Sequence, residues 1–189
     1  MNTLHQFNEV FDTQKVFRKL LEAMSNPTRI VSILEEKDKI FGKYQAFLAA
    51  AMTLLDNEVS FYTYGNTELQ KDIQLVTLSE ESSAESADYH FVTDSSMLTT
   101  VFEKAKCGTL TDPHSSATIL IQDNGEKIRK LCLYGPGING ETEIFCSETF
   151  CMALKLRDEQ NYEYPEGVDL IFLSDSGEIT AIPRLIKER

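Results

Sequence analysis

The sequence predicts an α/β protein, a three-layer αβα arrangement in which a mixed sheet carries helices on both faces. Three observations lead there. Strand-like and helix-like segments alternate through the first part of the chain, and hairpin signals dominate towards its end. The segment Tyr44 to Leu55 is apolar nearly all round, as expected of a central, buried helix. The run Val168-Asp169-Leu170-Ile171-Phe172-Leu173 is apolar almost without alternation, which suits a strand covered on both faces.

Taken in order, a first helix is predicted over about Asp12 to Ser25. Phe17, Leu20, Leu21 and Met24 follow the i, i+3, i+4, i+7 spacing of one apolar face. Asp12 is placed to act as N-cap, and Pro27 forbids continuation. Ile30 to Leu34 is a short strand candidate. The apolar helix Tyr44 to Leu55 ends at Asp56-Asn57, and Val59 to Thr63 alternates as a strand should. Asn66 caps a helix through Leu69, Ile73 and Val76. The acidic segment Ser79 to Asp88 reads as a solvated loop, because apolar pattern resumes at Tyr89 to Val92. Ser96 opens a helix bearing Leu98, Val101, Phe102 and Ala105, with Gly108 as its stop. Thr118 to Gln122 and Ile128 to Tyr134 flank Asp123-Asn124-Gly125-Glu126, a hairpin signal. A last helix covers about Ser147 to Leu156. The apolar runs ending at Leu173 and beginning at Ile179 flank Ser174-Asp175-Ser176-Gly177, so they form a closing hairpin.

A chain of 189 residues without internal repeats is expected to form one domain over 1–189, large enough to bury roughly 70% of its unfolded surface. No apolar run approaches the roughly 20 residues needed to cross a bilayer. The stretch Met1 to Gln6 lacks the basic and apolar regions of a signal peptide, so a cytoplasmic location is expected. Thirty acids against eighteen bases give a net charge of −12, which disfavours nucleic acid and anionic lipid as partners. A phosphorylated ligand would need a local cluster of Arg and Lys. Cys107, Cys132, Cys146 and Cys151 show no CxxC spacing and read as small core residues in a reducing compartment, which argues against a zinc or iron–sulfur site.

Common catalytic signatures are missing: there is no GxxxxGK[ST] loop and no GxGxxG after a strand. Gly135-Pro136-Gly137 follows a strand and has the backbone freedom of an anion cradle. Pro136 removes one N–H donor, however, which favours a bare turn. His5, His90 and His114 are scattered without a nucleophile at a recognisable spacing and read as surface or loop residues. Two arginines stand out. Arg18 lies beside the apolar face of the first helix, and Arg184 follows Pro183, which fixes the local backbone. Arg suits bidentate capture of carboxylate or phosphate. Arg184 can therefore pair with Asp169 or hold an anionic ligand. The internal pair is favoured, because a buried carboxylate costs several kcal/mol unless it is paired or well hydrogen-bonded.

Several segments together resemble a known family. Phe17-Arg18-Lys19-Leu20-Leu21-Glu22-Ala23-Met24-Ser25-Asn26-Pro27 is similar to the N-terminal signature of the PhnH family, a component of the bacterial carbon–phosphorus lyase system. Leu54-Leu55-Asp56-Asn57 resembles that family's leucine-rich helix end and acid. Gly108-Thr109, Pro113 and Ala117-Thr118-Ile119-Leu120 resemble its GT…P…ATL block. Gly135-Pro136-Gly137-Ile138, Tyr164-Pro165-Glu166-Gly167-Val168-Asp169-Leu170 and Ala181-Ile182-Pro183-Arg184 complete the set. The matches run from about residue 16 to 186. Thr28 departs from the pattern, standing where the family usually has glycine, so the turn must avoid positive φ or accept strain. His114 stands where a glutamate is usual.

The resemblance implies a fold like that of the pyridoxal-phosphate-dependent transferases, in a compact form without the cofactor. It implies a homodimer embedded with subunits G, I and J in a larger core complex. That system couples an alkylphosphonate to the ribose of ATP with displacement of adenine, and the chemistry is usually placed on other subunits. The expectation is thus a required, non-catalytic subunit with no cofactor or metal of its own. Arg18, Asp56, Gly135, Gly137, Asp169 and Arg184 are its candidate ligand- or partner-binding residues. Two alternatives stand beside it. One is a binding module for ATP or phosphonate through Arg18 and Arg184. The other is a pyridoxal-phosphate enzyme, which needs a Schiff-base lysine; Lys104 and Lys106 are the nearest candidates, and neither stands in a recognisable motif.

Overall fold

The computed structural model describes residues 6–189, so the readings of His5 and of the segment before Gln6 lie outside the described residues. The elements follow in the order α1 (Phe11–Ser25), β1 (Val31–Ser32), α2 (Leu34–Lys37), α3 (Gln45–Leu54), β2 (Ser60–Tyr62), α4 (Thr67–Val76), β3 (Glu80–Glu81) and β4 (Tyr89–Val92). Then come α5 (Leu98–Lys104), β5 (Thr118–Gln122), β6 (Arg129–Tyr134), β7 (Glu141–Cys146), α6 (Glu148–Glu159), β8 (Asp169–Leu173), β9 (Glu178–Ile182) and β10 (Lys187–Glu188).

Seven strands form the main sheet in the order β1-β9-β8-β5-β4-β2-β3. From β8 to β3 the neighbours run parallel, whereas β9 is antiparallel to both β8 and β1. The sheet is therefore mixed. One face packs Phe61, Phe91, Leu120 and Ile171 against α1, α3 and α4; the other packs Ile119, Ile121, Leu170 and Phe172 against α5 and α6. Strands buried on both faces explain why β5 and β8 read as continuous apolar runs. A second sheet, β10-β6-β7, closes the α5–α6 side and sends Leu133 and Ile144 into the same core.

The closing hairpin is present with Leu170 opposite Ile182 and Leu173 opposite Ile179. The helix Gln45–Leu54 is central, with all six residues from Ala46 to Ala51 buried. Asn66 caps α4 by accepting from the Leu69 N–H at 3.0 Å, and Ser147 caps α6 by accepting from Phe150 at 3.0 Å.

Other readings are corrected. The Asp123–Glu126 turn does not join a hairpin: β5 has both edges occupied by β4 and β8, so β6 pairs with β7 and β10 in the second sheet. The segment Ser79–Asp88 is not all loop, since Glu80–Glu81 adds an edge strand beside β2. Asp12 is not the N-cap of α1. Asn8 Oδ1 accepts from the N–H groups of Val10 and Phe11, while the buried Asp12 binds Lys39 Nζ at 2.6 Å. The buried stripe of α1 is Val16, Leu20 and Ala23, leaving Phe17 50% and Leu21 54% exposed. Gly108 does not stop α5, which ends at Lys104; it serves the loop that follows.

Candidate functional site

Three of the family-like segments, 108–120, 164–170 and 181–184, meet where the closing hairpin begins and ends. Asp169 opens β8, and Arg184 lies two residues beyond β9, so the hairpin register brings them together. Asp169 Oδ1 accepts from the Arg184 backbone N–H at 2.8 Å and from Nε at 3.3 Å, and Oδ2 accepts from Nη2 at 2.5 Å. Nη1 donates to the Pro113 carbonyl at 2.7 Å, fastening the Gly108–Pro113 loop to the hairpin. Gly167, at φ 140°, leaves room for the arginine, since a Cβ there would sit 3.1 Å from that of Arg184. The expected internal pair is thus formed, with side chains 15% and 21% exposed.

Beneath it lies a second arginine that sequence reasoning passed over. Arg157 on α6 is 1% exposed. Its Nε donates to Asp158 Oδ1 at 3.0 Å, Nη1 to the Pro183 carbonyl at 3.4 Å, and Nη2 to the Ile186 carbonyl. Burial pulls its pKa below the usual arginine value, and Asp158 opposes that pull. An ordinary-looking arginine near the end of an amphipathic helix gives no local signal of this role. A narrow cleft of about 80 Å³ runs between Arg157, Tyr162, Tyr164, Glu166, Arg184 and Lys187. The buried Tyr162 hydroxyl on its wall has no protein hydrogen-bond partner, and burial pushes its pKa to about 12.

The Gly135–Ile138 segment closes as a turn, Ile138 N–H donating to the Gly135 carbonyl at 3.1 Å. Both glycines take positive φ, and neighbours approach both closely. A Cβ at Gly135 would lie 2.7 Å from the Leu185 carbonyl oxygen, and one at Gly137 would lie 3.1 Å from Pro27. The turn that follows α1 therefore packs on Gly137, and the segment beyond Arg184 packs on Gly135. At that first turn Arg29 N–H donates to the Asn26 carbonyl at 3.0 Å, with Pro27 and Thr28 between them. Thr28 takes φ 77°, so the chain accepts the strain that glycine would avoid.

The profile of the bacterial phosphonate metabolism protein PhnH matches residues 5–188. The chain belongs to the PhnH family. It is also 27% identical over 175 residues to the "Putative C-P lyase subunit protein HtxG" of Stutzerimonas stutzeri, a match covering 90% of this chain and 83% of that one.

Within this PhnH-family chain the candidate residues do not share one site. Asp169 and Arg184 meet, and Gly135 abuts the segment just past Arg184. Arg18 is exposed on α1 and forms no ion pair among the described residues. Asp56 is exposed too, and its Oδ1 accepts from the Glu58 N–H at 2.8 Å, closing the turn between α3 and β2. His90 is not a loop residue but a fully buried one on β4, whose Nδ1 meets the Tyr64 hydroxyl at 2.8 Å. Burial pushes its pKa down to about 4, so it is neutral at physiological pH. His114 is exposed on a 3₁₀ turn at Pro113–Ser115. Among the described residues no cluster of three or more His, Cys, Asp or Glu is arranged to hold a metal, and no helix is long and apolar enough to cross a membrane.

Proposed function

We propose that this chain is a required, non-catalytic subunit of a carbon–phosphorus lyase core complex. In that role it supports the coupling of an alkylphosphonate to the ribose of ATP, with displacement of adenine. The observation that carries the reading is the family match over residues 5–188, nearly the whole chain. The relative from Stutzerimonas stutzeri, whose name describes a C-P lyase subunit, supports it. The chemistry of the Arg184 cluster is consistent with it, because the three donor nitrogens of that guanidinium are all engaged by Asp169 and Pro113. In this reading the chain is cytoplasmic, forms a homodimer, meets subunits G, I and J, and has the compact fold of a pyridoxal-phosphate-dependent transferase without that cofactor.

The test is reconstitution. Subunits G, I and J from the same organism are purified with and without this chain, and adenine release from ATP plus an alkylphosphonate is followed. Co-purification and loss of adenine release when the chain is omitted are expected. A G–I–J assembly that couples at full rate without it overturns the proposal.

A second reading, a module that binds ATP or phosphonate, draws on the cleft beside Arg184 and the unpartnered Tyr162 hydroxyl. Titration calorimetry of the isolated protein with each compound separates the two: a saturable heat lost in Arg184→Ala favours the binding module. The pyridoxal-phosphate enzyme has less behind it, since Lys104 and Lys106 are held by Glu85 and Asp88 at 2.9 and 2.5 Å.

A further inference from the structure

Two sulfur atoms meet where β7 passes into α6. Cys146 closes the strand, Ser147 caps the helix, and Cys151 lies one turn inside it. Counted from the cap, these cysteines occupy N′ and N4, the two positions that a hydrophobic staple joins across a helix start. Here the staple is made of thiols, with Sγ atoms 3.4 Å apart. Cys146 is 2% exposed, and its S–H also reaches the Arg129 carbonyl at 3.5 Å. Burial and the neighbouring Cys151 sulfur push its pKa up to about 12, so it waits as a protonated thiol.

Cys151 is half-buried and borders a broad cleft of about 790 Å³ with Arg129, Leu131 and Lys155, so a small reagent reaches it. The other two cysteines face oxygen atoms instead. Cys107 Sγ faces the Gly108 carbonyl at 3.6 Å, and Cys132 Sγ faces Glu141 Oε2 at 3.5 Å.

We infer that Cys146 and Cys151 are a redox-modification site, a thiol pair that a low-molecular-weight disulfide converts into an intrachain disulfide across the start of α6. Cys151 gives its proton to water, and its sulfur then attacks one sulfur of the reagent, forming a mixed disulfide and releasing one reagent thiolate. That thiolate takes the Cys146 proton. Cys146 then attacks the Cys151 sulfur and expels the second reagent thiolate, which is protonated by water. Two protein thiols lose two electrons, and one reagent disulfide becomes two thiols. The approach is short: a bond of about 2 Å asks each sulfur to move by about 0.7 Å from its present place. The staple contact thus places the resolving thiol beside the reactive one before any oxidant arrives.

The experiment uses the full chain and oxidised glutathione, followed by alkylation and peptide mapping. The expected product is a Cys146–Cys151 cross-link with Cys107 and Cys132 alkylated. Cys151→Ser abolishes the cross-link without needing a change in the buried core. Cys146→Ala stops at glutathionylated Cys151, and Cys132→Ser still yields the cross-linked pair. A cross-link through Cys107 or Cys132, a wild-type product that halts at the mixed disulfide, or no reaction of Cys151 overturns the inference.

Discussion

Replacing Arg184 by alanine removes three side-chain hydrogen bonds at once, two to Asp169 and one to the Pro113 carbonyl. Breaking one partner of a fully buried pair costs about 3–5 kcal/mol, whereas an exposed pair is worth about 0–1. Side-chain exposures of 21% and 15% place this pair nearer the buried limit but leave it wetted. Asp169 Oδ1 also keeps the backbone N–H of residue 184, at 2.8 Å in the native chain, so the carboxylate is not abandoned entirely. Arg184→Ala is therefore expected to lose about 2–3 kcal/mol, a large share of a typical total of about 5–15. Asp169→Ala is expected to lose a similar amount. The double variant should cost about 1–2 kcal/mol less than the sum, because no lone charge remains. The chain has no tryptophan, so urea unfolding is followed by circular dichroism. Additive losses, each below about 0.5 kcal/mol, would refute the pair as a stabilising unit. Normal stability with failure only in the reconstituted coupling assay would instead assign Arg184 to a ligand or partner.

Four further outcomes are expected. Thr28→Gly relieves a left-handed residue that costs about 1–2 kcal/mol and adds unfolded-state freedom costing about 0.5–1, so a net gain of about 0.5–1 kcal/mol in urea unfolding is expected. His90 has its folded pKa pushed to about 4 from the ordinary 6.5, so the unfolded chain binds more protons between those values and stability falls as pH drops through that window. His90→Gln should flatten that slope, by at most about 1.4 kcal/mol per pH unit, in unfolding curves recorded from pH 7 to 4. Arg157→Ala is expected to cost more than about 3 kcal/mol by stranding the Pro183 and Ile186 carbonyls, while the exposed Arg18→Ala stays within about 0.5, both read by urea unfolding. Leu21→Gln should likewise stay within about 0.5 kcal/mol in the same assay, because that side chain faces away from the core.

The parts legible in the sequence were those whose cause is local. Ser174-Asp175-Ser176-Gly177 closes its hairpin with Gly177 at φ 86°, and Asn66 caps the helix it precedes. The Asp169–Arg184 pair followed from the same hairpin and from the cost of burying an unpaired acid. Failures came where a distant partner decided the outcome. The Asp123–Glu126 turn carries hairpin chemistry, yet β8 takes the edge of β5 that β6 would have needed. On α1 the 3.6-residue period is satisfied by two adjacent stripes, and only contact with the sheet selects Val16, Leu20 and Ala23 over Phe17 and Leu21. Glu141-Thr142-Glu143-Ile144-Phe145-Cys146 alternates in burial but not in polarity, because Thr142 faces inward and Phe145 outward, so the strand left no period-2 signal. Arg157 and His90 gave no sign of burial because their partners, the Pro183 and Ile186 carbonyls and the Tyr64 hydroxyl, lie on other elements.

The position of β9 in the sheet also sets a timetable for synthesis. β1 has β9 as its neighbour, with Val31 opposite Ile179, and α1 rests against the same strand. A ribosome delivers these partners far apart in time: α1 and β1 emerge well before β9, with β2 to β8 between them. While translation proceeds, α1 can settle on α3, but β1 has no strand to pair with until the closing hairpin leaves the exit tunnel. Such non-local pairing slows folding and prolongs exposure of unpaired strand edges. The nascent chain therefore carries an open edge at β1 from the emergence of that strand until the closing hairpin arrives to cover it.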